Sequence, residues 1–525
     1  MGIKNQNSLP TDIGWQRLGT SPRHGINVPL FSLRSENSQG IGEFFDLILM
    51  IDWLASCGFS ILQILPIYDT GFSSSPYNAL SSCALNPVYL HIPALEGASS
   101  TPGFFESQTI LKNVNRSPRA IYRKVREEKL AFLERYFEQF IGNLNVQEKI
   151  ARFSNQHPWA EHYALFLALK EKNRETCWQS WTKEERELDN LPQLKKKHQQ
   201  RFSFYIFLQI LCKEQMEIVK QHAESRQVFL KGDIPILLSP DSADVWAERE
   251  HFRLEYGTGC PPDLFNDAGQ NWGFPLFDWN YVQKTGYSWW KRRLAYASRF
   301  FHMYRIDHLV GFFRIWAIPL GKAPTEGLFL SKNRKLWPFE GKKRLEALIR
   351  ASPMLPIAED LGIMPKEASS ILQDLGISGT RVTRWMKYWD EDGSFIPGKE
   401  FDPMSVTTLS THDTASFGQW WEETPEEAKH YACSRNLPYA QRLSPNLREA
   451  FLEDAHASAS IFHSNLITEY LALFPTLAFK TSKEERINVP GVESDRNWSL
   501  RVRATVETLS SHAPLCQLLT KLARL

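Results

Sequence analysis

The chain has 525 residues, of which 42% are hydrophobic and 23% charged, so it is long enough to fold around a large core. Its 61 Lys and Arg residues nearly balance 59 Asp and Glu residues, which argues against a nucleic-acid partner or an anionic membrane surface. The seven cysteines are scattered without a C-x-x-C pair, so neither a disulfide framework nor a zinc site is predicted. No signal peptide and no run of about 18 apolar residues is evident, which favours a reducing cytoplasm and no membrane span.

The N-terminal part alternates between helix-like and strand-like patterns. The helix-like stretch FFDLILMIDWLASCG ends at Gly58 and precedes the apolar run Phe59–Ile67. A second helix-like segment, Phe202–Arg226, precedes the apolar run Val228–Leu238. Such alternation predicts parallel strands joined by helical crossovers.

Residues 101–201 have a different texture. Apolar side chains near helical spacing fill RAIYRKVREEKLAFLERYFEQFIG, and charges occupy the other positions. The basic run KKKHQQR is typical of a solvated helix face. We interpret this region as a helical insertion between two strands.

Three further apolar runs follow, and each ends abruptly in polar residues: FHMYRIDH, MLPIAEDLG and SVTTLSTHD. Strands that finish in charged residues indicate a (β/α)₈ TIM barrel of the α/β class, because its active site gathers at the C-terminal ends of the strands. We therefore expect one catalytic barrel domain over residues 1–525, with residues 101–201 inserted in it.

Three carboxylates stand at the ends of these runs. Asp307, Glu359 and Asp413 are separated by 52 and 54 residues, so one or two β/α units lie between neighbours and all three could face one barrel mouth. Two carboxylates, one protonated and one ionised, are the minimum for glycoside chemistry. Arg305 would share the strand face of Asp307 and keep that carboxylate ionised. The alternative is that each carboxylate forms an ordinary strand-end salt bridge.

Other chemistries find less support in the same residues. IDH and THD contain possible metal ligands, but neither H-x-H nor H-E-x-x-H occurs, so no metal is expected. The lone G-x-G of EYGTGC is too weak to indicate a nucleotide site, and no cofactor is predicted. No G-x-S-x-G surrounds the serines of SSSP, which therefore indicate a turn.

An ordered set of motifs resembles the 4-α-glucanotransferases, the amylomaltase or disproportionating-enzyme family related to the α-amylase superfamily. The resemblance is collinear over most of the chain. The motifs are GIGEFFD, LQILPI, SSPYNALSSCALNPVYL, GDIPILLSPDSADVWA, PPDLFNDAGQNWG, YRIDHLVGFFR, IAEDLG, STHDT and ERINVPG.

The resemblance implies a role for each matching residue. Asp307 would be the nucleophile that forms a covalent glucosyl-enzyme, Glu359 the general acid/base, and Asp413 the third carboxylate, which holds the sugar hydroxyls. It also implies that the substrate is bound by Arg305, His412, Asp241, Tyr77, Trp272 and Asp267.

The implied activity is retaining transfer of an α-1,4-glucan segment from a maltooligosaccharide to the 4-hydroxyl of glucose or of a glycogen- or starch-derived glucan. Hydrolysis by the same machinery and glucan binding without catalysis are the alternatives. Two departures from the family pattern, Phe274 after WG and Ala478 in FPTLAF, concern the preferred substrate length rather than the reaction.

Overall fold

The structure is a computed structural model that describes residues 9–188, 190–262, 267–331 and 333–525. Within these residues, eight strands form one parallel sheet. In chain order they are β1 (Arg23–Asn27), β2 (Ile61–Gln63), β3 (Phe229–Ile234), β4 (Met303–Ile306), β5 (Leu355–Ala358), β6 (Gly379–Val382), β7 (Ser405–Thr408) and β8 (Phe462–Leu466).

Except for β5 and β6, strands that follow one another in the chain are paired in the sheet, and β8 pairs with β1. Between β5 and β6 the sheet closes through a parallel bridge from Ile357 to Ser378, where the Ala358 amide donates to the Ser378 carbonyl at 2.7 Å. The predicted (β/α)₈ barrel is therefore confirmed.

Helices surround the barrel. Within the described residues the α-helices are Asp12–Leu18, Asp46–Ser56, Phe104–Asn115, Tyr122–Glu138, Leu144–Gln156, Pro158–Lys172, Lys183–Glu187, Leu191–Lys197, Gln199–Ser225, Ala243–Ala247, Trp279–Lys284, Ser288–Ala297, Val310–Phe313, Trp337–Ile349, Ala368–Leu375, Phe417–Glu423, Pro425–Ser434, Pro445–His456, Ile467–Leu471, Val506–Ser511 and Ala513–Leu522. None of them is long and apolar enough to cross a membrane.

Helices also fill the predicted insertion between β2 and β3, and the last of them, Gln199–Ser225, runs past residue 201 to lead into β3. In helix Tyr122–Glu138 not all charges face solvent. Arg126 is buried against Asp69, and Lys129 is buried against Glu43 and also donates to two backbone carbonyls. These ion pairs fasten the insertion to the barrel.

The N-terminal end of the barrel is closed by helix Asp12–Leu18. The Trp15 ring packs on Phe462 of β8 with centroids 5.6 Å apart, and Leu18 is buried beside Met303 and Leu355. The opposite end carries a small antiparallel sheet of Leu328–Phe329, Trp316–Pro319, Tyr256–Cys260 and Gln270–Asn271, in that order. The loops that follow the C-terminal ends of the barrel strands lie at this end.

Candidate active site

A cleft of about 660 Å³ opens at the C-terminal end of the barrel. Its walls combine strand ends, the small antiparallel sheet and the loop 488–498. Among the residues predicted from the sequence, those that line it are Tyr77, Trp272, Asp307, Glu359 and Asp413.

Arg305 is the central cation of the site. Its buried guanidinium donates through Nη1 to Asp233 Oδ2 at 2.7 Å and to Asp307 Oδ1 at 3.0 Å, and through Nη2 to Glu359 Oε2 at 2.5 Å. Strand pairing explains this convergence, because Arg305 is aligned with Asp233 on β3 and with Ile357 on β5, two residues before Glu359. The sequence-based idea that Arg305 and Asp307 share a face is confirmed.

Glu359 has the properties of an acid that stays protonated near neutral pH. Burial raises its pKa to about 7, with Asp307 adding to the rise while Arg305 opposes it. The His308 amide also donates to Oε2, at 2.8 Å. The neighbouring Asp360 does not line the cleft and instead accepts from Arg381 at 2.8 Å, as the alternation of strand side chains predicts.

Asp413 is held as an anion. Its Oδ1 accepts from Asn488 Nδ2 at 2.7 Å, and its Oδ2 lies 3.0 Å from His412 Nε2. Although burial raises the pKa of Asp413, His412, Asn488 and Arg305 together lower it to about 2. Burial lowers the pKa of His412 but Asp413 outweighs that effect, so the net direction is upward. The pKa values of Glu359 and Asp413 are therefore shifted in opposite directions within one cleft, as in active sites whose carboxyl groups have different roles.

Tyr77 joins this arrangement from the loop after β2. Its hydroxyl donates to Asp233 Oδ2 at 2.9 Å and lies 2.8 Å from His412 Nε2. The Tyr77 ring is nearly parallel to the His412 imidazole, with centroids 5.5 Å apart. The ring centroids of Trp498 and Tyr77 are 5.5 Å apart, so aromatic rings form part of the cleft lining near the carboxylates.

Sequence reasoning missed several residues of the site. Asp233 on β3 is fully buried and ties Arg305 to Tyr77, although KGDIP gave only a strand signal. Its inward position two residues after buried Lys231 would have indicated it. Asn488 lies within ERINVPG and Trp498 follows that motif by seven residues, and neither was predicted as a site residue.

Two predicted substrate-binding residues, Trp272 and Asp267, belong to the motif PPDLFNDAGQNWG and differ in their relation to the cleft. Trp272 lines the cleft wall, donates from Nε1 to Gln270 at 3.0 Å and meets the His308 ring edge-to-face. Asp267 is exposed in the adjoining loop and is not part of the cleft lining, while residues 263–266 of the same motif lie outside the described residues.

Asp241 contacts the helical insertion. Its carboxylate does not line the cleft and instead pairs with Lys170 Nζ at 2.7 Å and accepts from the Trp178 amide at 3.1 Å. It therefore fixes the loop after β3 to the helical insertion. Of the two departures from the family pattern, Phe274 lines the cleft, whereas the Ala478 carbonyl accepts from Arg503 outside the cleft lining.

A separate cluster of buried histidines lies between β1, β8 and helix Pro445–His456, where ligand atoms of His24, His456 and His463 all lie within 4.8 Å of one another. His24 Nδ1 and His456 Nδ1 are 2.7 Å apart, a hydrogen-bond separation. Two imidazole nitrogens on one tetrahedral zinc ion would be about 3.4 Å apart, so the separation of this pair matches a hydrogen bond better than joint metal ligation. Burial lowers the pKa of His24 to about 4 and that of His463 to about 3.

A closed parallel barrel whose C-terminal mouth holds a glutamate with a raised pKa and an aspartate with a lowered pKa is typical of enzymes that act on glycosidic bonds. Residues 28–507 match the family model described as 4-alpha-glucanotransferase, and the chain belongs to this family. A 4-alpha-glucanotransferase of Chlamydia pneumoniae is 42% identical over 515 residues, covering 97% of each chain. One from Synechocystis is 31% identical over 479 residues, covering 88% of this chain and 90% of the other.

Among solved structures, an amylomaltase from Streptococcus agalactiae in complex with acarbose superposes with a TM-score of 0.82 at 23% sequence identity. The superposition covers 95% of this chain and 98% of the other, which confirms the fold. The family predicted from the ordered motifs is likewise confirmed, and with it 4-α-glucanotransferase activity.

Proposed function

We propose that the cleft transfers α-1,4-glucan segments by double displacement, with Asp307 as nucleophile and Glu359 as general acid/base. Protonated Glu359 donates to the glycosidic oxygen while Asp307 attacks the anomeric carbon, so the bond to the leaving sugar breaks as a glucosyl ester forms. The 4-hydroxyl of an acceptor glucan then enters. Glu359, now a carboxylate, takes its proton as the ester bond breaks, and two inversions retain the α configuration.

The observation that carries this proposal is the contact of one guanidinium with both reacting carboxylates. Arg305 Nη1 contacts Asp307 and Nη2 contacts Glu359, so the two groups are held side by side with fixed orientations. Burial raises the pKa of Glu359 to about 7, which supports its assignment as the acid of the pair.

Asp413 and Tyr77 are proposed to hold the sugar that is being transferred. Asp413 remains ionised and can accept hydrogen bonds from sugar hydroxyls, and Tyr77 offers a flat ring for the C–H face of the same sugar. Trp272 and Phe274, which also line the cleft, would position the acceptor. Transfer exceeds hydrolysis only when the acceptor is well positioned and water at about 55 M is excluded, so this wall is where the two reactions would be separated.

For substrates, we propose maltooligosaccharides as donors and glucose or glycogen- or starch-derived α-1,4-glucans as acceptors. A cytoplasmic location agrees with seven cysteines that are scattered along the chain, three of them buried.

Incubation of the purified protein with maltotriose tests the proposal. Glucose together with a ladder of longer glucans is the expected product pattern, and glucose and maltose alone would instead indicate a hydrolase. The Asp307→Asn variant, nearly isosteric but unable to attack, should give no products while its melting temperature stays near that of the wild type. An Asn variant that still disproportionates maltotriose at the wild-type rate would exclude Asp307 as the nucleophile.

A further inference from the structure

An exposed tryptophan lies on a hairpin in the loop that follows β6. Trp389 is 67% exposed. The structure describes all 17 tryptophans of the chain, and Trp389 is the only exposed one among them. An indole normally buries a large apolar area, so this degree of exposure on a structured segment calls for an explanation.

The hairpin is ordered by its own backbone contacts. Lys387 and Phe395 form an antiparallel bridge, and the Tyr388 amide donates to the Ser394 carbonyl at 3.0 Å. Gly393 has a positive φ of 70°, as the tight turn between them requires. The hairpin follows β6, so it leaves the barrel on the same rim as the cleft and between the strands that precede Glu359 and Asp413.

Trp389 has a fixed orientation. Its Nε1 donates to the Trp385 carbonyl at 3.3 Å, and the Lys387 ammonium lies 5.1 Å from its ring centroid. Lys387 is itself held by Glu427 at 2.5 Å. The indole is therefore held in place while most of its surface remains open, a rigid platform with little rotamer freedom to lose on binding.

The surroundings of the ring are polar. Asp390, Glu391 and Asp392 follow it directly and are exposed. A groove of about 520 Å³ on the same hairpin is lined by residues that include Lys387, Asp392, Ser394, Phe395, Glu427 and His430. Carboxylates, hydroxyls and aromatic rings together match the hydroxyl groups and C–H faces of a sugar chain. A protein partner would instead be expected to cover a contiguous apolar patch.

We infer that this hairpin is an accessory binding site for an α-1,4-glucan, with Trp389 as its stacking platform. The inference rests on the proposed function, since it takes the substrate of the cleft as its ligand. A glucan too long for the cleft alone would contact the hairpin as it leaves the rim, so the site would favour long chains over maltotriose.

The test compares Trp389→Ala, Trp389→Phe and a control, Phe339→Ala, which removes an aromatic ring that is 68% exposed on helix Trp337–Ile349. Retardation in native gels containing amylopectin is measured on the Asp307→Asn background, so that the polymer is not consumed. Loss of one aromatic contact should weaken retention about three- to tenfold in Trp389→Ala, with most affinity kept in Trp389→Phe and all of it in Phe339→Ala.

In the active enzyme, the ratio of the KM for long amylose to that for maltotriose should rise by a similar factor in Trp389→Ala. The inference would be overturned if Trp389→Ala had the same retention and the same KM ratio as Phe339→Ala. It would also be overturned if Phe339→Ala weakened retention as much as Trp389→Ala does. The two failures can be distinguished. If the proposed function fails, the wild-type chain gives no ladder of longer glucans from maltotriose. If only this inference fails, the enzyme is active and its retention and KM ratio do not depend on residue 389.

Discussion

The protonation of Glu359 sets a pH dependence that can be calculated from the structure. Burial beside Asp307 raises its pKa from 4.5 to about 7, which corresponds to about 3 kcal/mol in favour of the protonated form. At pH 7 about half of the enzyme would carry the acid, whereas an unshifted glutamate would be only about 0.3% protonated. The environment of the cleft thus raises the population of competent acid by more than about 100-fold.

We therefore expect kcat/KM for maltotriose disproportionation to be flat on the acid side of pH 7 and to fall about tenfold per pH unit well above it. The assay is glucose release between pH 5 and 9 at constant ionic strength. With an α-glucosyl fluoride, whose leaving group needs no proton, Glu359→Ala should still form the glucosyl-enzyme, without this basic limb.

In that variant the intermediate should accumulate, because deglycosylation lacks its base, and intact-protein mass spectrometry should detect it. Added azide, a nucleophile that needs no base, should restore turnover. Asp360→Ala is the matched control, since that carboxylate pairs with Arg381 rather than lining the cleft. The reasoning is refuted if Asp360→Ala shows the accumulation and azide rescue while Glu359→Ala does not, or if the wild-type profile stays flat to pH 9.

Three other predictions concern stability and cofactors. Lys129→Met should leave the buried carboxylate of Glu43 without its main cation and cost about 3–5 kcal/mol, measurable by urea unfolding against the exposed control Lys124→Met. Because His24, His456 and His463 have lowered pKa values in the folded chain, the stability they contribute is complete above about pH 6.5 and is lost as the pH falls towards about 4. Melting temperatures from pH 7 to 4.5 should fall, and by less in His463→Gln. Dialysis against EDTA should leave disproportionation unchanged, and loss of activity that calcium or zinc restores would contradict the assignment of the carboxylates to sugar chemistry.

The strand-end carboxylates were predictable from the sequence because their positions follow from local rules. Alternation along β4 places Arg305 and Asp307 on one face, and the abrupt change from apolar to charged residues marks where a strand ends. The same rule separates Glu359 from Asp360. These features need no knowledge of distant contacts.

The contacts that the sequence did not predict have a common origin in non-local structure. Asp241 lies beyond the end of β3, where no periodicity fixes the direction of a side chain, and its partner Lys170 comes from the insertion. Asn488 reaches Asp413 from a loop without regular structure. Arg126 lies on the buried face of its helix because Asp69, which is distant in the chain, compensates its charge.

The convergence of acidic side chains on a single arginine also determines which molecules can enter. Asp413, whose pKa is lowered to about 2, is an anion at neutral pH on the lining of the cleft, so an anionic ligand brought beside it meets a like charge. Neutral sugars pass without this penalty, while a phosphorylated hexose brings a like charge into a poorly hydrated space. We expect glucose 6-phosphate to be a far weaker acceptor than glucose in competition assays, and most so at low ionic strength, where screening is least. The charge of the cleft would thus favour neutral glucose and glucans over phosphorylated hexoses as acceptors.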